Sequence, residues 1–336
     1  MQRVVVTGGL GFIGSHVVDG LVAAGRDVTI VDSMVAAVTD GREFEECGCV
    51  VIRESVADFF EQGGSFRDAD LVVHAASPVG PASILRDSGQ LGTEIVTTAQ
   101  LVVNACLEDD AALCTFSSAE VYGRSGMLAE SDSVVVPTNY NARLEYAIAK
   151  VLTEAITVNS RREGLRGLVI RPFNVAGPRQ SRAGGFVMPT FVQQALSGRP
   201  LTVFASGEQV RAFLSATDLS RFITDHLDDA LDCDECVYNL GSPANATTVW
   251  NLAERVVELL DSPSGIEHAD ARLVHGPLYE EAESFEKVPV LDAASKVGWA
   301  PTIGLDELIV ETAEFYRQHE DPRTDDAAPL DAVARV

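Results

Sequence analysis

The stretch VVVTGGLGFIGSH, residues 4–16, opens the chain and decides its fold. A β-branched run is followed by Gly8, Gly11 and Gly14, in a Gly-x-x-Gly-x-x-Gly spacing that leads into an apolar helical pattern. In this order Gly8 permits a tight turn, Gly11 a close approach, and Gly14 the packing of helix on strand. Backbone N–H groups and the helix N-terminus then face a pyrophosphate. The stretch therefore predicts the phosphate-binding turn of a dinucleotide site.

The two following predicted strands carry acidic residues at or just after their ends. Asp32 ends the second strand, where a carboxylate accepts hydrogen bonds from the adenosine ribose hydroxyls and repels a 2′-phosphate. NAD is therefore favoured over NADP. Asp58 follows the third strand, and the sequence leaves two roles open for it: a hydrogen bond to the adenine amino group, or the start of a helix.

Short β-branched runs alternate with helical patterns through the first half of the chain. This alternation is typical of repeated βαβ units and predicts an α/β fold, a Rossmann-type doubly wound parallel sheet with a smaller C-terminal substrate-binding part. We expect strands at 4–7, 28–31, 50–52, 71–74, 113–117 and 168–171, and helices at 12–24, 93–107 and 144–162.

The pattern becomes less regular beyond residue 175, where prolines and a turn at 205–207 interrupt it before a helix predicted at 219–231. We therefore expect an NAD-binding Rossmann domain at 1–175 and a mostly substrate-binding part at 176–320, partly interleaved with the first. Residues 321–336 lack a sustained apolar period and are expected to form a loose tail.

The composition is that of a globular protein, with 46% hydrophobic and 22% charged residues among 336. Fifty acidic residues against 25 Lys and Arg give a formal charge of -25, which repels nucleic-acid backbones. This charge fits either a salt-adapted source or an ordinary solvated surface. Because no apolar run reaches ~18 residues and the first residues carry no cleavage-site pattern, we expect no membrane association and a cytoplasmic location.

Neither the cysteines nor the histidines form a recognisable ligand pattern. Cys233 and Cys236 form a Cys-x-x-Cys, but no second pair or histidine spacing accompanies it. Reduced structural or surface thiols are therefore favoured over a zinc site, and no metal is predicted. His74 ends a buried strand and is expected to be a packed core histidine rather than a base.

The clearest candidates for catalysis are Tyr146 and Lys150, which lie one helical turn apart on one face. A nearby cation favours the phenolate, so the pKa of Tyr146 is expected to fall towards neutrality and make the residue a general acid/base. The same spacing also suits a surface pair. Ser118 and Glu120 follow the fifth strand, at the sheet edge where α/β proteins bind ligands.

With these features the chain resembles the extended short-chain dehydrogenase/reductase family, in its NAD-dependent nucleotide-sugar epimerase, dehydratase and decarboxylase branch. The resemblance extends over nearly the whole chain. Besides the glycine motif, Asp32, Tyr146 and Lys150, it rests on HAAS at 74–77, SAEVYG at 118–123, RPFNVAGPR at 171–179, GFVMP at 185–189 and VRAF at 210–213.

The resemblance implies a retained NAD that takes a hydride from sugar C4, gives a 4-keto intermediate and later returns the hydride. It implies that Tyr146 removes the hydroxyl proton, that Lys150 holds the nicotinamide ribose, and that Ser118 hydrogen-bonds the reacting oxygen. It also implies that Asn174 and Arg211 contact the substrate diphosphate. The implied NAD-binding residues are Gly8, Gly11, Phe12, Ile13, Gly14, Asp32, Asp58, Ala75, Ala76, Tyr146 and Lys150, and the implied substrate-binding residues are Ser118, Asn174, Arg179, Arg211 and Lys287.

Departures from the family pattern bear on which reaction follows oxidation. Similar dehydratases carry an Asp-Glu pair where this chain has Ala119 and Glu120, which argues against a 4,6-dehydratase. The uronate decarboxylases also have a Glu at this position and an Ala-Ser-Pro loop similar to residues 76–81, but an arginine where this chain has Lys287. A lysine ammonium binds a carboxylate as a point charge and cannot make the two parallel hydrogen bonds that an arginine guanidinium makes. Glu120 is thus either a catalytic or a structural carboxylate.

We therefore predict a 4-epimerase that acts on a UDP-hexose or UDP-hexuronate, because epimerisation needs only the Tyr, Lys and Ser set. Two alternatives stay open: a UDP-glucuronate decarboxylase with the same C4 oxidation, and a non-catalytic NAD-binding sensor on the same fold. The resemblance also implies a homodimer. Arg143 is expected to form an ion pair, and Glu94 stands where similar proteins often have an Asn.

Overall fold

The structure is a computed structural model that describes residues 2–77, 84, 87–136, 141–270, 272 and 285–319. A seven-stranded parallel sheet forms its centre, in the order β12-β7-β5-β4-β1-β2-β3. The described strands are β1 (Arg3–Thr7), β2 (Asp27–Val31), β3 (Val50–Ile52), β4 (Leu71–His74), β5 (Ala112–Phe116), β6 (Gly126–Leu128), β7 (Gly167–Pro172), β8 (Val175–Ala176), β9 (Leu201–Phe204), β10 (Val210–Ala212), β11 (Leu214–Ser215), β12 (Val237–Leu240), β13 (Ala246–Thr248), β14 (Ile266–Ala269) and β15 (Glu286–Pro289).

Helices cover both faces of this sheet. The described α-helices are α1 (Phe12–Ala23), α2 (Arg42–Glu46), α3 (Val56–Glu61), α4 (Leu91–Asp109), α5 (Ala142–Ser160), α6 (Val187–Leu196), α7 (Ala216–Arg221), α8 (Leu227–Leu231), α9 (Val249–Leu259), α10 (Asp292–Lys296) and α11 (Leu305–Gln318). α1 packs with α7 on one face, and α4 packs with α5 on the other.

The central strands are mostly apolar because both of their faces are buried. Every residue of β4 (LVVH) and of β5 (ALCTF) is buried, the pattern expected for parallel strands between two helical layers. The predicted α/β, doubly wound fold is confirmed. Each of the six predicted strands lies within one residue of an observed strand.

The second half of the chain differs from the sequence expectation in one helix and in one strand. The helix expected at 219–231 consists of α7, a π-helical turn at Phe222–His226, and α8. Phe222 lies in this turn and packs against Tyr238 and Trp299, with ring centroids 5.4 and 6.0 Å away. β12, which was not predicted, adds an edge strand to the large sheet from beyond residue 175.

A smaller four-stranded sheet has the order β13-β10-β15-β6. Its strands come from distant parts of the chain. In its register Arg211 on β10 is the neighbour of Lys287 on β15, and Lys287 is the neighbour of Gly126 on β6. Two predicted substrate residues are therefore adjacent in one sheet.

Some expectations concern regions that the structure does not describe. The predicted tail at 321–336 and residues 78–81 of the Ala-Ser-Pro loop lie outside the described residues. The division into an NAD-binding part at 1–175 and a substrate part at 176–320 stays a prediction. Among the described helices, none is both long and apolar enough to span a membrane.

Candidate active site

The glycine-rich turn between β1 and α1 packs directly against the chain that leaves β4. A Cβ atom on Gly8 would lie 2.6 Å from the backbone N of Ala76, and one on Gly14 would lie 2.0 Å from the carbonyl oxygen of Gly8. Gly11 donates its N–H to the Gly8 carbonyl at 3.1 Å, and α1 then begins at Phe12, followed by Ile13. Side chains at positions 8 and 14 are excluded by backbone, as a phosphate-binding turn requires.

Asp32 is fixed beside this turn at the end of β2. Its two carboxylate oxygens accept the backbone N–H groups of Leu10, at 2.9 Å, and Met34, at 2.8 Å. Ala75, the residue after β4, donates its N–H to Thr7 on β1 at 2.9 Å. A glycine cradle, a helix N-terminus and a fixed carboxylate at three adjacent strand ends form the donor and acceptor set that NAD requires. The residues present therefore fit NAD.

Asp58 lies in the first turn of α3, whose N-cap residue is Ser55. The Ser55 hydroxyl donates to Asp58 Oδ2 at 2.6 Å, and the Asp58 N–H donates back to Ser55 Oγ at 3.1 Å. This reciprocal pair is the hydrogen-bonding pattern of a helix start, which supports that alternative. A contact of Asp58 with adenine stays a prediction.

The variant Gly14→Ala is expected to weaken NAD binding by about tenfold or more, because its Cβ would force apart the turn that faces the pyrophosphate. NAD released on denaturation and measured against protein concentration gives the occupancy. Gly265→Ala is the matched control, since a Cβ at Gly265 would meet nothing within 4 Å. Equal NAD occupancy in both variants would contradict this assignment of the turn.

Ser118, Tyr146 and Lys150 come together at the carboxyl edge of the sheet. Ser118 caps the short 3-10 helix Ala119–Tyr122 after β5 and hydrogen-bonds the Tyr146 hydroxyl from α5. Lys150 donates from Nζ to the Phe116 carbonyl at 2.9 Å, and its Nζ lies 5.8 Å from the centroid of the Tyr146 ring. The structure thus joins the three residues that the sequence selected.

The expected fall of the Tyr146 pKa is wrong for this arrangement. Burial raises the pKa of Tyr146 above its ordinary range; the Ser118 hydrogen bond opposes this effect, and the Glu120 charge adds to it. Lys150 does not compensate, because its ammonium is directed to the Phe116 carbonyl. Burial lowers the pKa of Lys150 itself to about 8, against the opposing charge of Glu154. Tyr146 is therefore a phenol here, the form that donates a proton to a ketone oxygen.

Glu120 lies among cationic side chains. Its Oε1 is 2.5 Å from Lys287 Nζ, and Arg143 and Arg211 also act on it electrostatically. Burial alone would raise the pKa of Glu120, but Lys287, Arg143 and Arg211 together lower it to about 2. Burial in turn lowers the pKa of Lys287, and Glu120 opposes that shift. Glu120 is therefore an ionised carboxylate, and the ion pair expected for Arg143 stays a prediction.

The other predicted substrate residues have protein partners. Asn174 Nδ2 donates to the Ala212 carbonyl at 3.2 Å, and Arg179 forms an ion pair with Asp19 on α1. Arg211 donates to the Phe285 carbonyl at 3.2 Å. Their contacts with a substrate stay predictions. Glu94 is exposed in the first turn of α4.

His74 is buried beneath these groups and has a partner. Its Nδ1 lies 2.7 Å from the Thr7 hydroxyl. Burial, with a smaller contribution from the charge of Lys150, lowers the pKa of His74 to about 3, so that its ring is neutral. This agrees with the expected packed core histidine. All six cysteines are unbridged.

Sequence reasoning missed a buried polar network behind the site. Arg171 and Glu154 form an ion pair whose side chains are 6% and 9% exposed. The available signals were the position of Glu154, one helical turn after Lys150, and that of Arg171 at the start of the RPFNVAGPR motif.

A doubly wound sheet, a glycine turn with Asp32, and a Ser–Tyr–Lys cluster together define an NAD-binding enzyme of the short-chain dehydrogenase/reductase class. Comparison with known proteins agrees with this class and refines it. The chain belongs to the NAD dependent epimerase/dehydratase family, whose model matches residues 4–241.

Similar proteins span nearly the whole chain. A UDP-N-acetyl-alpha-D-glucosaminuronate decarboxylase of Bacillus cytotoxicus is 27% identical over 95% of this chain and 99% of its own length. UDP-glucuronic acid decarboxylase 1 of Xenopus tropicalis is 27% identical over 100% of this chain and 77% of its own. Among solved structures, a UDP-N-acetylglucosamine 4-epimerase from Methanobrevibacter ruminantium has a TM-score of 0.80 at 23% identity and covers 94% of this chain and 98% of its own.

Proposed function

We propose that this enzyme uses NAD to oxidise C4 of a UDP-hexuronate, and that the resulting 4-keto uronate loses carbon dioxide. The observation that carries the proposal is the Glu120–Lys287 ion pair, flanked by Arg143 and Arg211 beside Tyr146. Three cations against one carboxylate are unusual in a chain whose net charge is -25. Such a concentration of positive charge suits a substrate that carries both a diphosphate and a carboxylate.

The first half of the reaction needs the Tyr146 cluster. NAD, when bound, accepts the hydride from the sugar C4 and later returns it. Tyr146 first loses its own phenol proton to solvent; the phenolate then takes the C4 hydroxyl proton during oxidation and, as the phenol, gives it back during reduction, while the Ser118 hydroxyl holds the reacting oxygen. Lys150, anchored on the Phe116 carbonyl, supplies a positive charge next to the cofactor ribose. Gly8, Gly11, Gly14 and Asp32 hold NAD in place.

The second half needs a group that binds the uronate carboxylate. A 4-keto uronate is a β-keto acid: its C5–C6 bond breaks, the electron pair moves towards the C4 ketone as an enolate, and C5 then takes a proton. An ammonium has three donors, so Lys287 can hold Glu120 and a substrate carboxylate together. The names of the similar decarboxylases from Bacillus cytotoxicus and Xenopus tropicalis support this outcome and the choice of UDP.

Epimerisation at C4 is the second candidate. The Tyr146, Ser118 and Lys150 cluster is complete without Glu120 and Lys287, and it suffices if the keto sugar turns over before hydride returns. Lys287 also stands where similar decarboxylases carry an arginine, and a lysine cannot bind a carboxylate through two parallel hydrogen bonds as an arginine does. A non-catalytic NAD sensor is disfavoured, because Tyr146, Lys150 and Ser118 are all present and lie together.

The test is incubation of the purified protein with NAD and either UDP-glucuronate or UDP-N-acetylglucosaminuronate. The products are separated by chromatography, and their masses are measured by mass spectrometry. A product lighter by carbon dioxide is expected. A new product of unchanged mass would instead establish the epimerase. No conversion of either uronate would contradict the uronate proposal, and UDP-glucose would then be the next substrate to test.

The proposed enzyme is also a homodimer, formed through the outer face of α5. Ile148 and Leu152 lie one helical turn apart on that face and are 43% and 45% exposed. We expect the double variant Ile148→Glu/Leu152→Glu to be monomeric by light scattering, because charges would be buried in the interface. Val35→Glu, at a site 71% exposed, is the control. An unchanged molar mass in the double variant would exclude this face.

A further inference from the structure

A buried ion pair lies directly beneath the proposed catalytic groups. Arg171 on β7 contacts Glu154 on α5 through two hydrogen bonds, from Nε to Oε1 at 2.8 Å and from the second terminal nitrogen to Oε2 at 2.7 Å. A bidentate pair of this kind fixes both the direction and the distance of its partners. Because neither charge can be solvated, removal of one partner leaves the other unpaired.

Glu154 connects this pair to the residues that carry the proton chemistry. The Ser117 hydroxyl donates to Glu154 Oε1 at 2.5 Å, and Ser117 directly precedes Ser118. Glu154 also lies one turn after Lys150, on the same face of α5. One carboxylate therefore contacts the Ser118 segment and lies beside Lys150.

Arg171 connects the pair to the segment that carries Glu120. Its NH1 donates to the Tyr122 hydroxyl at 2.9 Å, and that hydroxyl donates to Asn239 Oδ1 at 2.7 Å. Tyr122 ends the 3-10 helix on which Glu120 lies. Asn239 donates in turn to the carbonyl of Val290, just after β15, the strand of Lys287. The network thus reaches the segments that carry Ser118, Glu120 and Lys287.

The charges around Lys150 make Glu154 its electrostatic partner. His74 on β4 is neutral, Tyr146 on α5 is a phenol, and β5 offers the Phe116 carbonyl. Burial lowers the pKa of Lys150 to about 8, and Glu154 is the group that opposes this fall. The positive charge of Arg171 in turn balances the negative charge of Glu154.

We infer that the Arg171–Glu154 pair is the positioning element of this site: it sets Ser118 and Glu120 against Tyr146 and places the Glu154 carboxylate one helical turn from the Lys150 ammonium, as its counter-charge. The inference rests on the proposed function only in giving Lys150 a role in the reaction. It is independent of which sugar is turned over.

Direct titration of Lys150 tests the electrostatic part. The chain has only three lysines, at 150, 287 and 296, so NMR of protein labelled at lysine Cε gives few signals, and Lys→Arg variants assign them. In Glu154→Gln the Lys150 midpoint is expected to move down by about one pH unit, the low end for loss of a nearby opposite charge. Glu145→Gln, on the α4-facing side of the same helix, should leave the midpoint unchanged. An unmoved midpoint in Glu154→Gln would overturn the inference.

Two further variants keep the test decisive if Glu154→Gln fails to fold. The double variant Glu154→Gln/Arg171→Gln removes both charges and leaves neither unpaired, and it should show a smaller downward shift, because the positive charge of Arg171 is removed as well. Tyr122→Phe breaks the links from Arg171 to the Glu120 segment and to Asn239, and leaves the Arg171–Glu154 pair in place. It is expected to lower kcat several-fold with KM and the Lys150 midpoint unchanged. An unchanged kcat in Tyr122→Phe would contradict the positioning role, whichever substrate proves correct.

Discussion

Replacing Tyr146 by phenylalanine is expected to lower turnover of the nucleotide sugar by about 10²–10⁴-fold while NAD stays bound, because the variant loses only the group that carries the proton. The Tyr146 ring is 5% exposed and packs in a small apolar cluster with Leu91, Ile95 and Ala149. Phenylalanine keeps these contacts. The side-chain volume and the cofactor cradle are therefore preserved.

Single-turnover and steady-state rates, measured with NAD occupancy on the same samples, check this result. Tyr238→Phe is the matched control, because its hydroxyl donates to the Ala230 carbonyl, in a hydrogen bond between β12 and α8. Turnover of Tyr146→Phe within threefold of the parent would contradict the assignment of Tyr146 as the group that carries the proton. Loss of NAD from this variant would instead indicate a structural role.

Replacing Lys287 by methionine is expected to have the second largest effect, a loss of about 10–100-fold in kcat/KM for a UDP-hexuronate. Lys287 is nearly buried and holds Glu120 at 2.5 Å. Its removal deprives both Glu120 and the substrate carboxylate of their nearest cation. The loss should be larger for uronates than for a UDP-hexose, since a UDP-hexose has no carboxylate at C6.

The comparison of UDP-glucuronate with UDP-glucose on the same variant separates this effect from general damage to the site. Lys287→Arg is the conservative control, and it should keep most of the uronate turnover because the guanidinium supplies both the charge and a fork. Equal losses for the two substrates in Lys287→Met would show that Lys287 supports the fold of the small sheet rather than recognition of a carboxylate.

The large sheet was predictable because its signals are local. A strand buried on both faces needs an apolar run, and the turn after β1 needs glycines where a Cβ would meet backbone at 2.0 Å and 2.6 Å. Asp32, Ser118, Tyr146 and Lys150 were found for the same reason, since each is placed by the end of a strand or by the spacing of one helix.

The small sheet was not predictable from local pattern. β6, β10 and β15 are short and pair residues far apart in the chain, so the contact between Glu120 and Lys287 depends on non-local register. The direction of the Tyr146 pKa failed for a related reason. The helical spacing correctly places a cation nearby, but burial and the Glu120 charge depend on tertiary packing.

The most direct test of the central claim is turnover of UDP-glucuronate deuterated at C4, with mass and NMR analysis of the product. If C4 is oxidised and reduced through one retained NAD, the deuterium returns to C4, in a product that is lighter by carbon dioxide or, for epimerisation, of unchanged mass. A product whose C4 carries hydrogen in place of the deuterium would contradict the account.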